Sequence, residues 1–535
     1  MRRLAIMLFL AVTWTAAHAD DAIDRRVEAG VARLADEDAA ERDAAERDLV
    51  SLGPAARQAL ERAAAAATDP EVIARIGTVL ARIALREVED FAIRRVSAGE
   101  PFPQIHGGGT GGSLKGGITV AEAINQVGKS FGVAVSFDER DQDLCLEAER
   151  TRLEHGIGVS NQDAAEFLLM QALKWIDATY VVDERAVIVV RMTPPILVAK
   201  LRKEGRAHFS PCLDLTLQQF VEYGKPSKAL TYNYLNDISR MTNGARERWL
   251  QALREFAADE SRMPDDRAAA LVGVSYFLCT TVDAQPDVDG VFLPHALSST
   301  VPWEVRREAI RGLMHGLTEN AHRTVLDLLE QGSSDLREEV LFSALELSHP
   351  SHCVAHYLHD ADRPFSAKFR ELLRKLSESE DREVALAALC NRAECGEESV
   401  HKAIVAAGPL DTLRARYHQM IFAKGDLESE MIRDYARHED DNTRAVYACV
   451  ICGWRLDGAP DAAIEELLRL SSDPAPIVRF FAVRRIAWAL EVGLAKGAER
   501  RTRIAEGLKG RGDVEADPRV RAAIEEAQRL LQPPK

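Results

Sequence analysis

The chain has 535 residues, 46% of them apolar and 28% charged, which is enough apolar side chain to bury several cores and too much for a disordered segment. Its formal charge of -16 repels phosphate backbones and anionic headgroups, so nucleic acid is not an expected partner. Aromatics make up only 6%, and the prevalence of Ala, Leu, Arg and Glu favours helix over strand.

Residues 1–19 read as a signal peptide. Arg2 and Arg3 precede an uncharged run from Leu4 to Ala17, and Ala17-His18-Ala19 places small residues where a signal peptidase inspects them, just before Asp20. That run falls short of the roughly 20 residues needed to span a bilayer. The uncharged stretch Ala268 to Val282 is also too short. Cleavage would remove two arginines and take the formal charge from -16 to -18. The mature chain is expected in the periplasm or outside the cell, without a membrane span.

Residues 20–95 carry helical periodicity. Leu52-Gly53-Pro54 reads as a turn between helices, and Thr68-Asp69-Pro70-Glu71 combines an Asp cap, Pro at the first helical position and an acid in the first turn. Residues 96–117 form a glycine-rich linker, which its composition predicts to be flexible and unpacked. Gly107, Gly109 and Gly112 match a dinucleotide fingerprint by spacing alone, with no strand predicted before them. Gly128-Lys129-Ser130 lacks the upstream Gly of a phosphate loop and follows a helix instead of opening one. No cofactor is expected.

Residues 118–193 alternate between α and β character. Thr119 and Glu122 form a capping box, Val120, Ile124, Val127 and Phe131 share one helical face, and Gly132 ends that helix. Val133, Val135 and Phe137 alternate as a strand. Ser160 with Asp163 caps a second helix carrying Leu168, Leu169 and Leu173, and two strands flank an Asp-Glu-Arg turn after Thr179. A small mixed sheet with two helices is predicted. The runs Ile118 to Ile124, Gly132 to Phe137, Gly158-Val159-Ser160 with Ala164-Ala165, and Tyr180-Val181-Val182 resemble the short N-terminal domain of secretins and TonB-dependent receptors, the STN-like module. That resemblance implies a periplasmic docking domain for protein partners with no chemistry of its own. No run of amphipathic strands follows, so the pore of that family is not implied.

A Pro-containing connector over 194–240 leads to a helical array over 241–535. Openings recur at Trp303-Glu304-Val305-Arg306, Asp335-Leu336-Arg337, Thr412-Leu413-Arg414, Asn442-Thr443-Arg444, Ile477-Val478-Arg479 and Asp517-Pro518-Arg519-Val520-Arg521, several of them about 30 residues apart, as stacked helix pairs require. The last unit and Asp69-Pro70-Glu71-Val72 resemble the HEAT-like repeat. Asp caps, Pro starts, the branched residue packs inward, and Arg reaches a carboxylate on the next repeat. Spacing is irregular between residues 337 and 411. The expected fold is therefore mainly α, a HEAT-like α-solenoid interrupted by one small α/β module.

The candidate for chemistry is His349 to His359, which holds four of the chain's 14 histidines. His352 and His356 lie one turn apart, a spacing that lets two imidazoles share a metal, and His359 continues their face. No HExxH motif or third-ligand motif accompanies them, so the favoured reading is a solvated helix, and metal binding or an enzyme is the alternative. Cys449 and Cys452 share a predicted helix at a spacing too wide for a disulfide, and are expected to be buried thiols. Trp249, Trp303, Trp454 and Trp488 are expected to pack in the core. Gly273-Val274-Ser275-Tyr276-Phe277 lacks the second Gly of a nucleophile elbow. The sequence thus reads as a non-catalytic scaffold that binds protein or peptide partners in the cell envelope.

Overall fold

The computed structural model describes residues 22–98, 102, 112–159, 164–184, 186–204, 243–279, 286–314, 319–346, 358–360, 365–407, 410–422, 430–454, 460–491 and 497–532. The signal segment, Gly107 and Gly109, the Ser160 and Asp163 cap, and connector residues 205–240 lie outside them. The chain divides into two compact units, Met1–Ala199 and Lys200–Lys535.

In the first unit, helix α1 covers 22–34, α2 Ala39–Ser51, α3 Arg57–Ala66 and α4 Pro70–Ala98. Gly53 takes φ +67°, the left-handed turn its lack of a side chain permits, and Asp69 Oδ1 accepts the Glu71 amide at 2.8 Å to cap α4. Val72, Ile76, Val79 and Ile83 recur on one face of α4 and bury against Leu34, Leu49 and Leu60. Each such side chain contributes about 1.5–3 kcal/mol relative to exposure.

The rest of the unit is the α/β module: β1 Gly112–Leu114, α5 Val120–Phe131, β2 Val135–Phe137, α6 Gln142–Arg150, β3 Ile157–Val159, α7 Ala164–Leu173, β4 Ala178–Asp183 and β5 Ala186–Arg191. Both halves of the Thr119/Glu122 capping box form, at 2.7 and 3.1 Å, and Gly132 ends α5 at φ +65°. The sheet is mixed as predicted, in the order β2-β5-β4, with β2 parallel to β5 (Val135 opposite Val187) and β4 antiparallel to it (Val182 opposite Val187). A third helix, α6, was not predicted. It buries only Leu144 and Ala148 under an Asp141 cap, too little apolar surface to mark an amphipathic face.

The linker departs from its predicted behaviour. Gly112–Leu114 pairs antiparallel with Ile157–Val159, and Phe102 sets its ring edge-on to Tyr180 at 5.4 Å. Gly112 is required there because an added Cβ would sit 2.8 Å from Phe131 Cζ and 2.9 Å from Leu168 Cδ1. The C-terminal half of α4 also packs on β4. Phe91 lies under the guanidinium groups of Arg140 (5.2 Å) and Arg95 (5.8 Å), Arg95 pairs with Asp183, and Thr193 Oγ1 donates to Glu89 at 2.5 Å. These bonds join segments on either side of the linker into one unit.

Helix α8, Pro194–Glu204, spans the boundary between the units. The second unit continues with α9 Asn243–Ala258, α10 Pro264–Cys279, α11 Pro286–Leu297, α12 Trp303–Met314, α13 Glu319–Gln331, α14 Ser334–Glu346, α15 Ser366–Leu376, α16 Arg382–Glu394, α17 His401–Ala406, α18 Leu413–Phe422, α19 Glu430–Ala436, α20 Asp441–Trp454, α21 Pro460–Leu470, α22 Pro476–Glu491, α23 Ala498–Leu508, α24 Arg511–Val514 and α25 Pro518–Leu531. Helices α10, α12, α14, α16, α18, α20, α22 and α25 each pack on the next, and α11, α13, α15, α17, α19, α21 and α23 lie against them as a second layer. This is a helical solenoid, and its helices begin within a residue or two of the predicted openings. The irregular stretch holds α15, α16 and α17 with a 3-10 turn at Glu398–Val400. The chain is thus mainly α, a solenoid with one small α/β module.

Candidate functional site

The most concentrated chemistry among the described residues is a buried charged junction where α12, α14 and α18 meet. Arg311 Nε donates to Glu339 Oε1 at 2.7 Å, Arg414 Nη1 donates to Glu339 Oε2 at 2.7 Å, and Ser343 Oγ adds a third donor at 2.9 Å. The Glu339 side chain is 4% exposed, so this geometry supplies the bonds that water would otherwise make. The Arg414 guanidinium also covers the Phe342 ring at 4.9 Å, and Phe342 stacks on His418 at 5.1 Å. Glu308, 3.8 Å from Arg311, balances the charge of the second arginine.

Glu338 lies at the edge of this junction, and its carboxyl is pushed up to about 7 by burial and by the Glu383 carboxylate, with Arg414 opposing. Glu383 accepts both the amide (2.8 Å) and the hydroxyl (2.6 Å) of Thr412. The arrangement links helices by salt bridges and hydrogen bonds. Its one hydroxyl, Ser343, donates to Glu339, a carboxylate that Arg311 and Arg414 already hold.

The same chemistry recurs toward the C-terminus as a ladder. Arg416 lies 3.5 Å from Asp440 and donates to Thr443 at 2.6 Å, Arg444 forks onto Asp473 (2.9 Å twice), and Arg479 forks onto Glu515 (2.9 and 2.7 Å). Each arginine also donates to a carbonyl six residues back in its own loop: Leu410, His438 and Asp473. The acids double as turn caps, Asp473 accepting the Ala475 amide at 2.9 Å and Glu515 the Asp517 amide at 3.0 Å. Arg444 and Arg479 thus tie their own turns to the next repeat as the sequence predicted, Arg416 does so two residues past the predicted Arg414, and Arg337 and Arg521 instead donate to carbonyls of their own turns.

Of the histidine candidates, His352 and His356 lie outside the described residues, as do His349 and Cys353. His359 is half-buried, its ring edge-on to Phe369 at 5.6 Å and its Nε2 2.8 Å from Asn391 Oδ1. Asn391 Nδ2 donates to the Leu341 and Ala387 carbonyls, so Oδ1 is an acceptor and His359 Nε2 carries the proton. That nitrogen is unavailable to a metal in this arrangement. Among the described residues no three His, Cys, Asp or Glu side chains gather as a metal site.

Gly128-Lys129-Ser130 occupies the last turn of α5, where the Gly128 carbonyl accepts the Val133 amide at 3.0 Å. Ser275 is buried inside α10, away from any strand-to-helix elbow. Cys449 is a buried thiol on α20, the helix that also holds Cys452. Trp249 is buried, and Trp488 packs in the C-terminal core beneath Arg485 at 5.7 Å. On the module, Glu122, Asn125, Gln126, Lys129 and Ser130 line a shallow polar hollow on the outer face of α5.

Fold and junction together define a helical-repeat solenoid whose buried charges serve the joints between repeats. No protein-family model matches the sequence, and no curated protein matches it. Among solved structures, yeast Importin-beta (Kap95p) aligns with a TM-score of 0.31 and 11% identity, over 94% of this chain and 59% of that one. A Kap121p mutant gives 0.35 and 11%, over 96% of this chain and 52% of that one, and an engineered protein gives 0.26 and 15%, over 95% and 98%. The chain spans little more than half the length of the two natural proteins. Likeness at TM-scores this low carries no argument about function.

Proposed function

We propose that this chain is an exported, non-catalytic scaffold that binds protein or peptide partners in the cell envelope. The observation that carries the reading is the two-layer stack of α9 to α25, whose central charged pairs are spent between repeats, so that what remains to meet other molecules is an extended helical surface. Such a surface suits a polypeptide better than a small substrate. Export rests on the Arg2 to Ala19 pattern. The STN-like reading of residues 118–193 adds a docking role for the module, and the polar hollow on α5 is the face we assign to it.

The test is capture of partners by the full chain from an envelope fraction, comparing wild type with Gln126→Arg/Lys129→Glu on the module and Arg500→Glu/Arg503→Glu on the solenoid. Lys129 is exposed, whereas Gln126, Arg500 and Arg503 are half-buried and bonded to the Ser113 carbonyl, Asp461 and Glu465, so melting curves must verify that each variant keeps its fold. Loss of partner with the first pair alone supports module docking. Loss with the second alone moves docking to the solenoid, and loss of zinc on changing His352 and His356 would favour the metal alternative.

A further inference from the structure

Two arginines are buried among the described residues, Arg311 at 8% and Arg267 at 4% exposed. A guanidinium keeps its charge at every working pH, so removing it from water is costly unless an anion balances it. Arg311 has Glu339 at 2.7 Å. Arg267, one turn into α10, has no carboxylate within ion-pair reach among the described residues. Its Nε donates to the Ala257 carbonyl at 2.8 Å, and no other bond is made by this side chain among those residues. The acids closest in sequence are committed elsewhere or turned away. Asp259 accepts the Ser261 hydroxyl at 2.6 Å and Arg262 Nε at 3.1 Å, and Asp266 accepts Arg202 at 2.9 Å. Asp265 is two residues from Arg267, about 200° round the helix. Within reach of the Arg267 charge lies His295, half-buried in the last turn of α11, whose imidazole is held below its usual range by burial and by that charge. Two basic side chains therefore share one place in the second unit, and no acid there balances the buried one.

We infer that Arg267 and His295 form a site for one small oxyanion, a phosphate or a carboxylate. With Nε committed to Ala257, the outer guanidinium nitrogens Nη1 and Nη2 keep their donors, and the planar fork offers them at a spacing that suits two oxygens of one anion. His295 supplies a further N–H donor from the neighbouring helix. The bound anion would do for Arg267 what Glu339 does for Arg311, balancing a charge that the fold has already taken out of water. The bond to Ala257 fixes Arg267 beforehand, so little side-chain freedom is lost on binding.

Titration calorimetry on the full chain, with inorganic phosphate or acetate added to a chloride buffer at fixed ionic strength, tests this. Wild type should bind one anion per chain. Arg267→Met, which keeps the length of the side chain without its charge, should weaken binding about tenfold or more, and His295→Gln should weaken it several-fold. Thermal melts separate a lost site from a lost fold. In chloride, Arg267→Met should melt at or above wild type, because the unbalanced buried charge is gone. In phosphate, wild type should gain stability and the variant should not. A wild-type chain that binds neither anion overturns the inference. So does binding that survives Arg267→Met, which would report an adventitious ion only, or a variant that melts well below wild type in chloride, which would make Arg267 a structural strut to Ala257.

Discussion

At the residue scale, Glu339 is the side chain on which most depends. It is buried and shared by two guanidinium groups and a hydroxyl, so Glu339→Gln leaves two arginines with Glu308, 3.8 Å from Arg311, as the remaining nearby counter-charge. A urea melt should show a loss of about 3 kcal/mol, the usual result of breaking one side of a buried ion pair. Glu338 behaves oppositely. Its folded carboxyl titrates near 7, above that of an unfolded glutamate, so its contribution is complete below about pH 4 and is lost as pH rises through 7. Glu338→Gln should therefore leave stability unchanged at acid pH and raise it by about 1 kcal/mol at pH 8, a figure reduced for partial solvent screening. Arg444 and Arg479 were legible because each follows a buried residue at a helix opening, whereas at the opening of α18 the sequence pointed to Arg414 and the ladder uses Arg416. The role of Glu339 was not, since its two arginines lie 28 and 75 residues away in sequence.

At the scale of elements, most helix starts and the strand at Val135–Phe137 were legible, while α6 and the strand at Gly112–Leu114 were not. Thr119 with Glu122, Gly132, Asp69 and Asp517 all act as their local chemistry predicts, because a cap is decided within four residues. The three-residue strand at Gly112 is decided by pairing with Ile157–Val159, some 45 residues on, and nothing in a glycine-rich run announces that. Gly112→Ala should therefore cost about 1–3 kcal/mol, because its Cβ meets Phe131 and Leu168 in a packed site. Thermal melts of the full chain would check this, with Gly77→Ala as the tolerated comparison, since nothing lies near its Cβ. The packing of α4 on β4 was equally hidden. Its Phe91, Arg95 and Arg140 read as ordinary surface residues until the fold brings them together. Phe91→Ala should speed proteolysis between residues 98 and 112 with little effect on cleavage in the second unit, as peptide mapping would show.

At the scale of the molecule, the solenoid was legible because its period is written in repeated openings, while the surface that meets a partner has no period to read. Export makes a separate prediction: Edman degradation of chain recovered from the envelope should begin at Asp20. The central claim is that the chain works by binding polypeptide through a scaffold whose own charges are committed to its joints. In-cell cross-linking of the tagged full chain, followed by capture from envelope and cytosolic fractions in buffer containing EDTA, tests it most directly. The account predicts a protein cross-linked to exposed residues of the solenoid or of α5, enriched from the envelope and retained through chelation. A chain recovered only from the cytosol, or one whose cross-linked partners vanish with the metal, would contradict it.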